Sequence, residues 1–270
     1  MNLNKLAAID IGSNAVRMLI SYVIKNNEGK LHFQKNSYIR LPLRLGEDSF
    51  KDQSISENKI ETFVNAINSM KYIMKVHGVD YYLAYATSAL REAENSDFII
   101  AKVKSETAIE IEIIDGLKEA KIISNAKPIE KNHSFRKNLY VDVGGGSTEL
   151  SFVQNDKKTL SRSFNIGTVR DLNKKNKTNV WDQIKIWIKD NMDNDFKLRL
   201  FGTGGNINKI QNMTNTKVGK PISYFSMITL LNNISKIDYE KRILQYDLNP
   251  DRADVIVPAL KIFLKTMEWS

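Results

Sequence analysis

Two acids, Asp142 and Glu149, flank three consecutive glycines in the stretch LYVDVGGGSTELSF at 139–152. Without β-carbons, Gly144, Gly145 and Gly146 can present successive backbone N–H groups to an anion. Two carboxylates beside such a cradle are what a magnesium ion bridging protein and phosphate requires. The plain alternative is a tight hairpin with solvated acids, and one glycine tip does not decide between them. The pattern occurs twice, however. Residues 6–20 read LAAIDIGSNAVRMLI, with an acid at Asp10 and the small polar turn Gly12-Ser13-Asn14. Asp10-Ile11-Gly12 lies over Asp142-Val143-Gly144 at an offset of 142 − 10 = 132 positions, about half of the 270 residues. That spacing predicts two similar domains that face one another across a cleft, each opening with strand, phosphate turn and strand. A third glycine turn, Gly202-Thr203-Gly204-Gly205, stands between an apolar stretch and a helical one. It could approach a nucleotide or a farther phosphate, or simply connect two elements.

The elements that must hold these turns follow from periodicity. Residues 6–11, 16–25 and 30–41 read as a three-stranded meander with a turn at Asn26-Asn27-Glu28-Gly29. A polar loop is expected from Arg44 to Ser56. Ile60, Phe63, Val64, Ile67, Met70 and Met74 then recur at helical spacing until His77-Gly78. Residues 81–86 form a strand leading to Thr87-Ser88, a candidate helix cap with Arg91 one turn in, an arrangement suited to an anion. For Arg91 alone, a surface ion pair with Glu92, Glu94 or Glu110 is the competing reading. Residues 96–107 make a short helix, 110–114 a strand, and 115–125 the crossover helix. Glu119 falls in the first turn of that crossover, where a carboxylate ordinarily complements the helix dipole. A second meander covers 138–143, 147–153 and 158–164, followed by a helix start at 166–170 and helices near 180–190, 206–212, 223–236, 238–245 and 251–267. The domains expected are 1–123 and 124–270.

Composition narrows the chemistry. At 42% hydrophobic the chain can bury cores of two ordinary domains. It has no cysteine, which removes disulfides, thiolate metal sites and cysteine nucleophiles and fits a reducing, cytoplasmic setting. His32, His77 and His133 are scattered, so Ser-His-Asp and zinc chemistry find no support. The N-terminal apolar run is too short for a signal peptide, and residues 255–264 are broken by Pro258 and Lys261, so no bilayer span is expected. A net charge of +9 favours polyanionic partners, with basic residues from Lys157 through Arg162 and Arg170 to Lys177. For the charge by itself, simply solvated surface lysines are the weightier reading. Carboxylates, glycine turns and an arginine are the inventory of phosphoryl transfer, which depends on positioning and electrostatics.

AIDIGSNAVRML at 8–19, RLGE at 44–47, ATSALREAEN at 86–95, IIDGLKEA at 113–120, VDVGGGSTEL at 141–150, FGTGGN at 201–206 and RADVIVPAL at 252–260 run in one order over nearly the whole chain. In that combination the sequence resembles the exopolyphosphatase and guanosine pentaphosphate phosphatase (Ppx/GppA) family. The resemblance implies an α/β fold of two ribonuclease H-like domains, as in the actin-like ATPase superfamily, with a central cleft. It also implies hydrolysis of a terminal phosphoanhydride of inorganic polyphosphate or guanosine pentaphosphate. By resemblance Glu119 matches the catalytic glutamate that orients or deprotonates water. Asp142 and Glu149 match the acids holding Mg²⁺, with Asp10 their counterpart in the first turn. Ser13, Asn14, Arg91, Gly145, Gly146 and Ser147 match phosphate-contacting positions. A homodimer is a further expectation; a membrane or nucleic-acid partner is not. Lys118 replaces a glutamate usual in the family, which changes the charge beside Glu119. The sequence ends at Trp269-Ser270, where members generally continue through a further strand, and reduced activity is one expectation from that. The rival readings are an actin-like ATPase or kinase and a catalytically silent polyphosphate or alarmone binder.

Overall fold

The computed structural model describes residues 3–26, 28–125, 137–154, 158–170, 178–192, 198–217 and 219–270. The chain divides into two compact units, Met1–Asp115 and Gly116–Ser270. The expected boundary was 123/124. The division comes earlier because helix α5 (Gly116–Asn125) packs on the strands of the second unit.

In the first unit, β1 (Leu3–Ile11), β2 (Val16–Lys25) and β3 (Leu31–Leu41) form the expected antiparallel meander. After α1 (Leu45–Asp52) and α2 (Glu57–His77), β4 (Tyr81–Ala86) adds parallel to β1. Then come α3 (Ser88–Glu92), α4 (Ser96–Thr107) and β5 (Glu112–Ile113), parallel to β4, for a sheet order β3-β2-β1-β4-β5. The core lies on one face. Ala7, Ile9 and Ile11 of β1 and Val16, Met18 and Ile20 of β2 are buried with Ile60, Phe63, Ile67 and Met70 of α2. Each large side chain so buried contributes about 1.5–3 kcal/mol. Gly78, at φ 62, closes α2 by donating its N–H to Lys75 O and Met74 O. Strand alternation sends Ala8, Asp10, Arg17 and Leu19 to the opposite face.

The second unit repeats this plan. Strands β6 (Lys137–Val143), β7 (Thr148–Gln154) and β8 (Lys158–Phe164) form a meander, and β9 (Leu198–Thr203) runs parallel to β6, giving the order β8-β7-β6-β9. Leu139, Val141, Val143, Leu150 and Phe152 face a core shared with α6 (Thr178–Asp190), α7 (Gly204–Met213), α8 (Tyr224–Ile234) and α11 (Ile256–Trp269). Between the last two lie α9 (Tyr239–Tyr246) and the short α10 (Pro250–Ala253). The fold is thus α/β, two ribonuclease H-like units, each an antiparallel meander extended by parallel pairing.

Four sequence expectations differ from this. Residues 45–52 are helical, not loop, because Arg44 adopts a left-handed backbone (φ 55) and redirects the chain into α1. The strand at 110–114 shrinks to Glu112–Ile113. The helix at 251–267 is split between Ala253 and Ile256 into α10 and α11. Residues 166–170 are not a helix start; the N–H groups of Thr168, Val169 and Arg170 are used by the glycine loop, as described next. Of the basic run, Lys157 and residues 171–177 lie outside the described residues.

Candidate active site

Strand register sets the second hairpin. Asp142 pairs with Glu149 and Val143 with Thr148, which places both acids on the face opposite the core. The glycine turn between them is closed by Gly144 N–H to Ser147 O at 3.0 Å. Segment 166–170 then grips the turn from one side. Thr168 N–H donates to Gly144 O, Val169 and Arg170 N–H to Gly145 O at 2.8 and 3.0 Å, and Arg170 Nε to Gly146 O at 2.6 Å. A trans peptide points its N–H away from its C=O. Fixing these three carbonyls therefore directs the N–H groups of Gly145, Gly146 and Ser147 the other way, as an anion cradle needs. The grip tolerates no side chain at Gly167, whose β-carbon would stand 2.3 Å from Gly145 O.

Three carboxylates converge beside this turn. Glu149 is only 3% exposed, and its carboxyl is pushed up to about 8 by burial, by Glu119 and by Asp142, partly offset by hydrogen bonds from Ser147 and Ser163. The Ser163 hydroxyl donates to Glu149 Oε1 at 2.8 Å. Glu119 comes from the first turn of α5, which lies over β7 and β8. Asp142 is held from its other side by the third glycine turn: Thr203 Oγ1 donates to Asp142 Oδ2 at 2.5 Å. Gly204 follows at φ +87, where a β-carbon would be strained and only 3.0 Å from Asp142 Oδ1. Asn206 extends the support by donating to Val143 O, while accepting from Arg252 Nη1 at 2.6 Å.

The first hairpin has the same skeleton and a different charge. Gly12 N–H donates to Ala15 O at 3.1 Å, matching Gly144 to Ser147, and Asp10 pairs with Arg17 where Asp142 pairs with Glu149. Arg17 Nη1 donates to Asp10 Oδ2 at 2.8 Å, and that carboxylate is half exposed. Ser13 and Asn14 are buried; Ser13 Oγ bonds Ser88 Oγ at 2.9 Å, and the Ser13 and Asn14 carbonyls accept from Gly46 and Arg44. Arg91 anchors α3 through Nη1 to Ile114 O at 2.8 Å. Glu110, a competing partner for Arg91, pairs with Lys104 at 2.8 Å. The helix Arg91 sits on has five residues and carries no side-chain cap bond from Thr87. His77 bonds Ser37 near the end of α2, and His133 lies outside the described residues.

Sequence reasoning thus named the acids and the glycines but missed the residues that fix them: Ser163, Gly167, Arg170 and Thr203. Ser163 was recoverable from hairpin register, since it stands opposite Glu149 on β8. The others have no local signal.

With this geometry in view, a model of the Ppx/GppA phosphatase family matches residues 23–269. The chain belongs to the Ppx/GppA phosphatase family. Among curated relatives, a bifunctional 3-dehydroquinate synthase/phosphatase of Fusobacterium nucleatum is 30% identical over 97% of this chain and 43% of its own length. Exopolyphosphatase 1 of Mycobacterium tuberculosis is 29% identical over 62% of this chain and 47% of that protein. A guanosine-5'-triphosphate,3'-diphosphate pyrophosphatase of Photobacterium profundum is 27% identical over 60% of this chain and 32% of that protein. The chain spans less than half the length of these relatives. Of solved structures, an exopolyphosphatase from Cytophaga hutchinsonii aligns with TM-score 0.80 at 21% identity, covering 98% of this chain and 91% of that one. The Aquifex aeolicus Ppx/GppA protein aligns with TM-score 0.71 at 24% identity, covering 99% and 91%. Both support the fold. Among the described residues no helix is long and apolar enough to cross a membrane.

Proposed function

We propose that this Ppx/GppA family member is a phosphohydrolase that removes terminal phosphate from inorganic polyphosphate, guanosine pentaphosphate or both, with Mg²⁺. The observation that carries the reading is the crowding of Glu119, Asp142 and Glu149 beside a turn whose N–H groups are directed by its engaged carbonyls. The names of the mycobacterial and Photobacterium relatives support the substrate class.

A divalent cation fits this donor set. Buried carboxyls that push one another toward the protonated form are stabilised as anions by a nearby positive ion. Among the described residues no three His, Asp or Glu groups form a ready metal cage. Magnesium does not need one, because it takes one or two carboxylates and fills its shell with water and substrate phosphate oxygens. Asp142 and Glu149 are the residues assigned to hold it; Asp10 would first have to give up Arg17. When bound, the ion would neutralise charge on the phosphate oxygens. The chain's own groups do the rest. Gly145, Gly146 and Ser147 N–H groups bind phosphate oxygens, and Ser13, Asn14 and Arg91 are assigned to further phosphate contacts. Glu119 orients the attacking water and accepts its proton.

Phosphate release from both substrates with Mg²⁺, compared between the parent and the variants Glu119→Gln and Asp142→Asn, tests this. Release by the parent and a loss of about a hundredfold or more in each variant is expected. No release from either substrate, or undiminished turnover in the variants, overturns it. A nucleotide-binding ATPase or kinase is a second reading, favoured by a polar cavity of about 350 Å³ lined by Gly205, Asn208, Lys209, Asp247 and Arg252. Micromolar ATP binding with indifference to polyphosphate in calorimetry would support it.

A further inference from the structure

Ser163 makes two contacts that tie separate parts of the acid cluster together. Its hydroxyl donates to Glu149 Oε1 at 2.8 Å. Its side chain also fills the space beside Gly116, where a β-carbon would come 2.7 Å from Ser163 Cβ and 2.9 Å from its Oγ. Gly116 begins α5, and Glu119 stands in that helix's first turn. A β-carbon at residue 116 would push the start of α5 off β8, because Ser163 Cβ is rigidly attached to the strand and cannot swing aside. The serine thereby sets how closely α5 approaches β8 and, through the same atom Oγ, fixes the rotation of the Glu149 carboxylate. Ser163 pairs with Glu149 across β7 and β8, so the strand register holds both.

We propose that Ser163 is a positioning residue, with Gly116 as its counterpart, that sets the separation of Glu119 from Glu149 and the aim of the Glu149 carboxylate toward a divalent cation. The inference rests on the reading of Glu119, Asp142 and Glu149 as the catalytic acids. It adds a residue that acts through the two acids it spaces.

The two contacts can be broken separately. Ser163→Ala keeps the β-carbon against Gly116 and removes the hydroxyl. Gly116→Ala keeps the hydroxyl and inserts the clash, and the double variant Gly116→Ala, Ser163→Gly removes the clash without restoring the bond. Three readouts are taken: Mg²⁺ affinity by calorimetry without substrate, hydrogen exchange of α5 amides, and kcat and KM for phosphate release. Ser163→Ala is expected to weaken Mg²⁺ binding or lower kcat by about 10–100-fold, the usual effect of losing a partner of a metal-ligating carboxylate. Its KM and α5 exchange should remain parental. Gly116→Ala should speed exchange in the first turns of α5 and lower kcat, and the double variant should recover slow exchange while kcat stays low. Parental Mg²⁺ affinity and kcat in Ser163→Ala, or parental exchange in Gly116→Ala, would overturn the proposal. So would losses of kcat that merely track a fall in melting temperature. An inactive parent would count against the phosphohydrolase reading, and the calorimetry and exchange arms would still decide the role of Ser163.

Discussion

Two hairpins of one topology treat the same position in opposite ways. Where the strand returns from the turn, the first unit places Arg17 against Asp10 and the second places Glu149 against Asp142. The first pair neutralises itself at the surface, with Asp10 half exposed. The second gathers like charges under α5, with Glu149 buried and a third acid, Glu119, added from that helix. The covering differs to match. In the second unit α5 closes the face that carries the acids, whereas Leu19 and Leu83 on the corresponding face of the first unit remain exposed. A duplicated scaffold is therefore not a duplicated chemistry. One copy pairs its acid with a base across the hairpin, and the other sets acid beside acid and raises the Glu149 carboxyl to about 8.

The contrast can be tested in order of effect. Asp142→Asn should lower phosphate release by about a hundredfold or more, whereas Asp10→Asn, the equivalent acid of the self-neutralised hairpin, should cost less; equal losses would erase the distinction. Next comes pH. Glu149 has its carboxyl raised from 4.5 to about 8 in the fold, so between those values the folded protein binds a proton that the unfolded chain has lost. Stability without metal should therefore fall as pH rises from about 4.5 to about 8. Urea unfolding at pH 5 and pH 8 checks this, with Glu149→Gln flattening the difference and Mg²⁺ restoring stability at pH 8. Gly167→Ala forces a β-carbon onto Gly145 O and should destabilise by about 1–3 kcal/mol in urea unfolding while weakening phosphate binding. Arg17→Ala comes last. Its partly exposed ion pair should contribute no more than about 1 kcal/mol, and a larger drop in melting temperature would mean that the first hairpin depends on charge as much as the second.

Much of this organisation was legible in the sequence because it is local. The glycine turns, the alternation of β1, β2, β6 and β7 and the apolar stripe of α2 each lie within a short window, and the repeat at 132 positions exposed the duplication. What escaped is contact between distant segments. Residues 166–170 look like a helix start because Val169 and Arg170 suit one, yet their N–H groups go to carbonyls more than twenty residues earlier. The third glycine turn looked like a nucleotide or connecting turn, and only the parallel pairing of β9 with β6 brings Thr203 against Asp142. Helix α1 was hidden for another reason: its start depends on a left-handed arginine, a backbone state that residue type does not advertise.

The break between the two units falls at Asp115/Gly116, immediately before the helix that carries Glu119. All three acids consequently belong to the second compact unit, Glu119 on the helix that opens it. The spacing within this trio is therefore set by contacts internal to that unit, where α5 rests on β7 and β8.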